Sequence, residues 1–162
     1  MEESAYLKGR RDLIDIIKKI PFLQSYEEKY LLNILNLSKI RKYDMGEVIA
    51  KEGEFDSWFY IILSGEVQIM KNSREIARLD FRGGTFGELA VIDGKQRSAS
   101  VIATMDTSCL AIDGSFLDRL SYHDKPQFEA VYYRLISEEL AHRLRKTSEE
   151  LSLIKQDLKE DV

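Results

Sequence analysis

Two short runs carry the residues best suited to chemistry. The first is Gly83-Gly84-Thr85-Phe86-Gly87-Glu88-Leu89-Ala90, and the second is Arg97-Ser98-Ala99-Ser100-Val101. Glycines let backbone amides approach a ligand with no Cβ in the way. A short helical turn starting near Gly87 would aim its free N–H groups at a phosphate. Arg97 adds a guanidinium fork matched to phosphate oxygens, with the Ser98 hydroxyl beside it. Glu88 suits an anion badly: an ionised carboxylate only accepts hydrogen bonds, so it fits a sugar hydroxyl some distance from the phosphate. Together these groups describe a site for a nucleotide with a free ribose hydroxyl. The residues alone leave an alternative of equal weight, in which Glu88 and Arg97 form a structural ion pair and the glycines are ordinary turns.

Other chemistries find less support. His123 and His142 are the only histidines, and neither sits in a motif. Metal-assisted hydrolysis gathers clusters of His and Asp, so we expect no enzyme, no metal and no cofactor. The single cysteine, Cys109, lies in the apolar run Thr107-Ser108-Cys109-Leu110-Ala111-Ile112 and reads as a small core residue. No intrachain disulfide can form, which fits a cytoplasmic location. Two basic clusters, Lys8 with Arg10-Arg11 and Arg143 with Arg145-Lys146, are flanked by acids and read as solvated helix faces. A net charge of −4 argues against a dedicated nucleic-acid binder. Met1-Glu2-Glu3-Ser4 opens no signal sequence. No apolar run approaches the ~18–20 residues of a membrane-spanning helix.

The elements that must hold the site fall into three zones of one domain. At 162 residues with 44% apolar content, the chain can build a real core. Residues 1–38 read as a helical segment. Leu13, Ile14, Ile16, Ile17 and Ile20 end at Pro21, and a second helix, capped by Ser25 with Glu27 and Glu28 in its first turn, carries Tyr30, Leu31, Ile34 and Leu35. Residues 39–113 are rich in β-branched and aromatic residues punctuated by glycine. Strands are expected over 47–50, 57–63, 66–70, 75–80, 99–104 and 107–112, a pattern of a sandwich or roll. Ser64-Gly65 and Lys71-Asn72-Ser73-Arg74 read as tight turns. Residues 114–162 return to helix, with Pro126 near the first turn of a long one. Along it Leu140, Leu144, Thr147, Leu151, Ile154 and Leu158 follow heptad spacing. That seam either pairs two chains in a parallel dimer, the reading we favour, or lies on its own domain.

The run Phe86-Gly87-Glu88-Leu89-Ala90, a short loop and Arg97-Ser98-Ala99-Ser100-Val101 resemble the phosphate-binding cassette of the cyclic nucleotide-binding domain family. Upstream, Tyr43-Asp44-Met45-Gly46-Glu47-Val48-Ile49, Glu52-Gly53-Glu54, Trp58-Phe59-Tyr60-Ile61-Ile62 and Ser64-Gly65-Glu66-Val67 are similar to its first strands and glycine-punctuated roll. The resemblance covers about residues 22–150. It implies an α+β, mainly β fold: a double-stranded β-helix, or jelly-roll-like β-roll, flanked by N-terminal helices and a long C-terminal helix. It further implies a regulatory domain whose ligand is cAMP, with cGMP as the alternative. Glu88 would take the ribose 2′-hydroxyl and Arg97 the cyclic phosphate. Gly87, Leu89 and Ala90 would line the cassette with Phe86, and Ser98 and Ala99 would add phosphate contacts. Gln96 departs from the proline common before the arginine, which loosens the loop.

Arg143-Leu144 followed by Thr147-Ser148-Glu149 resembles the bacterial catabolite-activator branch of the family, in which a Thr-Ser pair on the long helix reaches the adenine, one residue of it from the partner subunit. Thr147 and Ser148 are therefore candidate ligand residues, and Thr147 has no packing motive for its place in the seam. The expected partners are the nucleotide, a second copy of the chain and an effector protein. The branch's helix-turn-helix would follow this helix, but the sequence closes at Val162, so direct DNA binding is not expected. The alternative reading is a dimerising interaction module of the same fold that binds no nucleotide.

Overall fold

The computed structural model describes residues 1–80 and 82–160. Nine strands are formed there: β1 (Glu2–Glu3), β2 (Ser38–Tyr43), β3 (Val48–Ala50), β4 (Trp58–Ser64), β5 (Val67–Lys71), β6 (Arg74–Leu79), β7 (Thr85–Phe86), β8 (Ser100–Ala103) and β9 (Thr107–Asp113). They make two antiparallel sheets, ordered β1-β2-β9-β4-β7 and β3-β8-β5-β6. The helices are α1 (Ile14–Ile17), α2 (Glu28–Asn36), α3 (Glu88–Asp93) and α4 (Lys125–Glu160), with 3-10 turns at Arg11–Leu13, Pro21–Leu23 and Gly114–Arg119. This is the mainly-β roll between N-terminal helices and a long C-terminal helix that the sequence implies.

β4 explains why the roll and the helices form one body. Its run Phe59-Tyr60-Ile61-Ile62 is buried throughout, as a strand covered on both faces must be. Phe59 and Ile61 join Leu110 and Ile112 of β9 in a core shared with α1, α2 and α4. The alternate residues Tyr60 and Ile62 join Cys109 and Ala111 in a second core inside the roll, with Val67, Phe86 and Val101. Cys109 is a core residue, and burial pushes its thiol up to about 12.

Three expectations need correction. The N-terminal zone is not continuous helix: it opens with β1, and its first helix is a single turn. Ile20 is extended ahead of Pro21, as the proline ring requires. α2 starts later than expected. Its N-cap is Glu27, without a side-chain bond, and not Ser25, because the chain first turns Tyr26 inward to donate to Glu138 of α4 at 3.0 Å. Finally, Ser64-Gly65 is no hairpin turn: β4 and β5 lie in different sheets, and Gly65 carries the chain between them. The turn between β5 and β6 is a true two-residue hairpin, with Asn72 and Ser73 both at positive φ. The six expected strands all form, whereas β1, β2 and β7 were not anticipated.

Gly65 has φ +99°, and a Cβ there would meet the Thr107 hydroxyl and lie 2.6 Å from the Asp106 carbonyl. Gly65→Ala combines backbone strain with a clash against main chain. It should lower stability by about 2–4 kcal/mol in urea titration.

Asp113, at the end of β9, ties the N-terminal segment to the 3-10 turn before α4. It accepts from the Tyr6 hydroxyl, from Ser115 N (2.9 Å) and Oγ (2.6 Å), and from Arg119 Nη2 (2.6 Å). Burial alone would raise its carboxyl, but the bonds from Ser115 and Tyr6 and the Arg119 charge outweigh burial and hold it below its ordinary value. A lowered native pKa means stability that is complete above the unfolded value, near 4, and lost as pH falls through the lower native value. Asp113→Asn should therefore be less stable at pH 7, with a flatter acid limb below about pH 4 in thermal melts.

The first half of α4 packs on the domain through Val131, Tyr132, Leu135 and Ile136. Its second half does not: Leu144, Leu151, Ile154 and Leu158 are exposed. No helix among the described residues is long and apolar enough to cross a membrane.

Candidate functional site

The cassette closes one mouth of the roll. β7 pairs with β4 and brings Phe86 face to face with Tyr60, ring centroids 4.8 Å apart. Gly87 then turns the chain at φ +90° into α3, so that Glu88 and Ala90 point inward while Leu89 stays exposed. A Cβ on Gly87 would stand 2.6 Å from Arg97 Nη1 and 2.7 Å from the Trp58 carbonyl. The glycine is what lets the arginine lie against the backbone here.

Arg97 is 5% exposed and held at many points. Its N–H donates to Glu54 O, and its own carbonyl accepts from Gly53 N. Nε and Nη2 donate to Asp56 at 3.0 and 2.5 Å, Nη1 to Gly87 O at 2.7 Å, and Nη2 also to Trp58 O at 2.5 Å. Four of the guanidinium's five N–H bonds are thereby used to orient it, which leaves one at Nη1.

Glu88, 3% exposed, pairs through Oε1 with Arg143 Nη1 of α4, while Arg143 Nη2 donates to Thr85 O at 2.5 Å. Glu88 Oε2 is buried and has no hydrogen-bond partner. The structural ion pair between Glu88 and Arg97, open in the sequence, is thus excluded: each has a different partner.

One cavity of about 200 Å3 collects these groups. Phe86, Gly87, Glu88, Leu89 and Ala90 line it from one side and Arg97, Ser98 and Ala99 from another. Ala50, Ile69, Ile76 and Val101 supply an apolar wall, and Arg143 reaches in from α4. Thr147 and Ser148 are not brought in. They are exposed on α4, Thr147 one turn beyond Arg143 on the same face.

Two residues of the site escaped the sequence reading. Arg143 was grouped with Arg145 and Lys146 as a solvated face, yet it leaves that face to pair with Glu88. Its i, i+4 spacing to Thr147 was the available signal. Asp56 carried none, because its partner is 41 residues away.

A family model for the cyclic nucleotide-binding domain matches residues 40–123, just over half of the chain and all of the cassette. The chain belongs to the cyclic nucleotide-binding domain family. Among curated proteins it is 38% identical over 101 residues to a cGMP-dependent protein kinase of Plasmodium berghei, a match covering 62% of this chain and 12% of the kinase. It is 31% identical over 112 residues to a cAMP-dependent protein kinase regulatory subunit of Colletotrichum orbiculare, covering 68% of this chain and 29% of that subunit. The chain thus spans only about 12% and 29% of these relatives' lengths. Among solved structures it resembles a cyclic nucleotide-binding domain from Methylobacillus flagellatus, with TM-score 0.72, 21% identity, and 90% and 84% of the two chains covered. It also resembles the Thermus thermophilus catabolite activator protein, with TM-score 0.61, 27% identity, and 83% and 63% covered.

Proposed function

We propose that this domain is a sensor that binds a cyclic nucleotide, cAMP in preference to cGMP, and passes occupancy to α4 without catalysing a reaction. One observation carries the reading: a single cavity joins an oriented guanidinium to a buried carboxylate with one unpartnered oxygen. The cyclic phosphate lies against the remaining Arg97 N–H, the Ser98 hydroxyl and the N–H groups opening α3. The ribose 2′-hydroxyl donates to Glu88 Oε2, which relieves an unsatisfied buried acceptor. The purine runs along the wall of Ile69, Ile76 and Val101.

At about 200 Å3 the cavity is below the usual range for small-molecule sites, ~300–1,000 Å3. Arg143 both lines it and holds Glu88, so an entering ligand changes what α4 touches. That differential contact is what lets binding shift α4. The exposed seam from Leu144 to Leu158 then pairs with a second copy, which places Thr147 near the base of its own site and Ser148 near the partner's. The preference for cAMP rests on this Thr-Ser pair. The output is read by an effector protein.

The test is isothermal titration with cAMP and cGMP, with sedimentation to read the dimer. Micromolar or tighter cAMP binding, weaker cGMP binding and a dimer are expected. No heat and no shift in melting temperature with either nucleotide would leave the fold as a dimerising module.

A further inference from the structure

A second cavity, of about 430 Å3, adjoins the cassette and shares Ala90 with the first. It is an open groove bordered by the loop before β4, by α3, by the 3-10 turn after β9 and by the first turns of α4. Its size falls within the usual small-molecule range. Three kinds of group line it. Phe55 and Tyr133 are aromatic and solvent-facing. Asp56, Asp118 and Glu129 are acidic, against the single lysine Lys95. Lys95 lies toward Asp93 at 3.8 Å, and Lys125 stands 3.7 Å from both Asp118 and Glu129, too far for strong hydrogen bonds.

Tyr132 is the telling residue. It is 2% exposed, and its hydroxyl is buried without a hydrogen-bond partner. That hydroxyl sits beside Gly114, where a Cβ would lie 2.8 Å from it, from Ser57 O and from Val91 Cγ1; all of these residues line the cavity. A buried hydroxyl without a partner carries a cost that a packed core would remove by using phenylalanine.

We propose that this cavity is a second ligand site, for a small organic cation: an amine on an aromatic or apolar body. The ammonium group is held by the carboxylates at the rim and by the ring faces of Phe55 and Tyr133. The Tyr132 hydroxyl supplies a neutral acceptor at the floor. Asp56 links the two sites, because the carboxylate facing this cavity is the one that orients Arg97. A cation here competes with Arg97 for Asp56 and alters nucleotide affinity, and linkage makes the effect reciprocal. Only this coupling rests on the proposed function; the site itself does not.

The experiment titrates the full chain with 2-phenylethylamine and, separately, with its neutral counterpart 2-phenylethanol, followed by amide NMR shifts. Saturable shifts at Ser57, Val91, Gly114 and Tyr132 are expected with the amine, and binding of the alcohol at least about tenfold weaker. Asp118→Asn with Glu129→Gln, at rim positions that leave the core intact, should weaken the amine about tenfold. Tyr132→Phe should weaken it severalfold with an unchanged or raised melting temperature. Equal binding of amine and alcohol, shifts confined to residues 86–88 and 97–99, or full binding by the double variant would each overturn the site. Saturating amine should change cAMP affinity by at least about threefold. Unchanged cAMP affinity in a chain that binds both ligands would overturn the coupling through Asp56.

Discussion

Arg97→Lys should sharply weaken nucleotide binding and also weaken the fold. Lysine keeps the charge but loses the planar fork. Arg97 spans Asp56, Gly87 O and Trp58 O at once, and an ammonium on a flexible stem cannot hold all three. We expect affinity for cAMP to fall at least about 100-fold, near 3 kcal/mol, by titration calorimetry. Stability should fall by about 2–3 kcal/mol in urea, because a buried pair is loosened without being replaced. Arg97→Ala should cost more still, since it strips Asp56 of its partner. The two losses can be separated. Asp56→Asn keeps the guanidinium but weakens the grip that orients it, so affinity should fall by about tenfold with the roll intact by circular dichroism. Near-normal cAMP binding by Arg97→Lys would mean that the phosphate rests on backbone amides alone.

Much of this arrangement was readable in advance, for a physical reason. Glycine at a position such as Gly87 is demanded by its positive φ, which is local, so the cassette's glycines show in the sequence. The six expected strands show because β-branched and aromatic residues cluster between glycines. β4 was clear for the same reason, its Phe59-Tyr60-Ile61-Ile62 run being buried on both faces. What did not show was decided by partners distant in the chain. β2 reads Ser-Lys-Ile-Arg-Lys-Tyr, a charged segment with weak strand character, and it becomes a strand by pairing along β9 over its whole length. β1 is two glutamates, held because Glu3 meets Lys39 and Arg41 at 2.6 Å each. Asp56 and Arg143 belong to the site only because the fold delivers Arg97 and Glu88 to them.

The Arg41 guanidinium also lies 3.8 Å above the ring of Trp58, the only tryptophan, whose carbonyl accepts from Arg97. β2 and the cassette thus meet at one fluorescent residue, Arg41 of β2 on its ring and Arg97 on its main-chain carbonyl. Its emission offers a direct readout of the site in any of the variants above.

The 2′-hydroxyl assignment predicts a ligand-and-residue cycle whose result a merely structural Glu88 would not give. In the wild type, cAMP should bind about 10–100-fold more tightly than 2′-deoxy-cAMP, the range expected of one charge-assisted hydrogen bond in a buried site. In Glu88→Ala the two ligands should bind equally, and both weakly. The coupling energy of that cycle isolates the hydroxyl–carboxylate contact from general damage to the cassette, because the damage affects both ligands alike. Glu88→Gln is the informative intermediate. Its amide oxygen can still accept from the hydroxyl, but it gives Arg143 no charge, so α4 loses its hold on the cassette. Discrimination against the deoxy ligand should persist at a reduced level, while α4 no longer differs between free and bound states in hydrogen exchange of residues 140–150. Equal discrimination in wild type and Glu88→Ala would show that Oε2 is satisfied by some group other than the sugar, and the ribose would have to be placed elsewhere in the cavity.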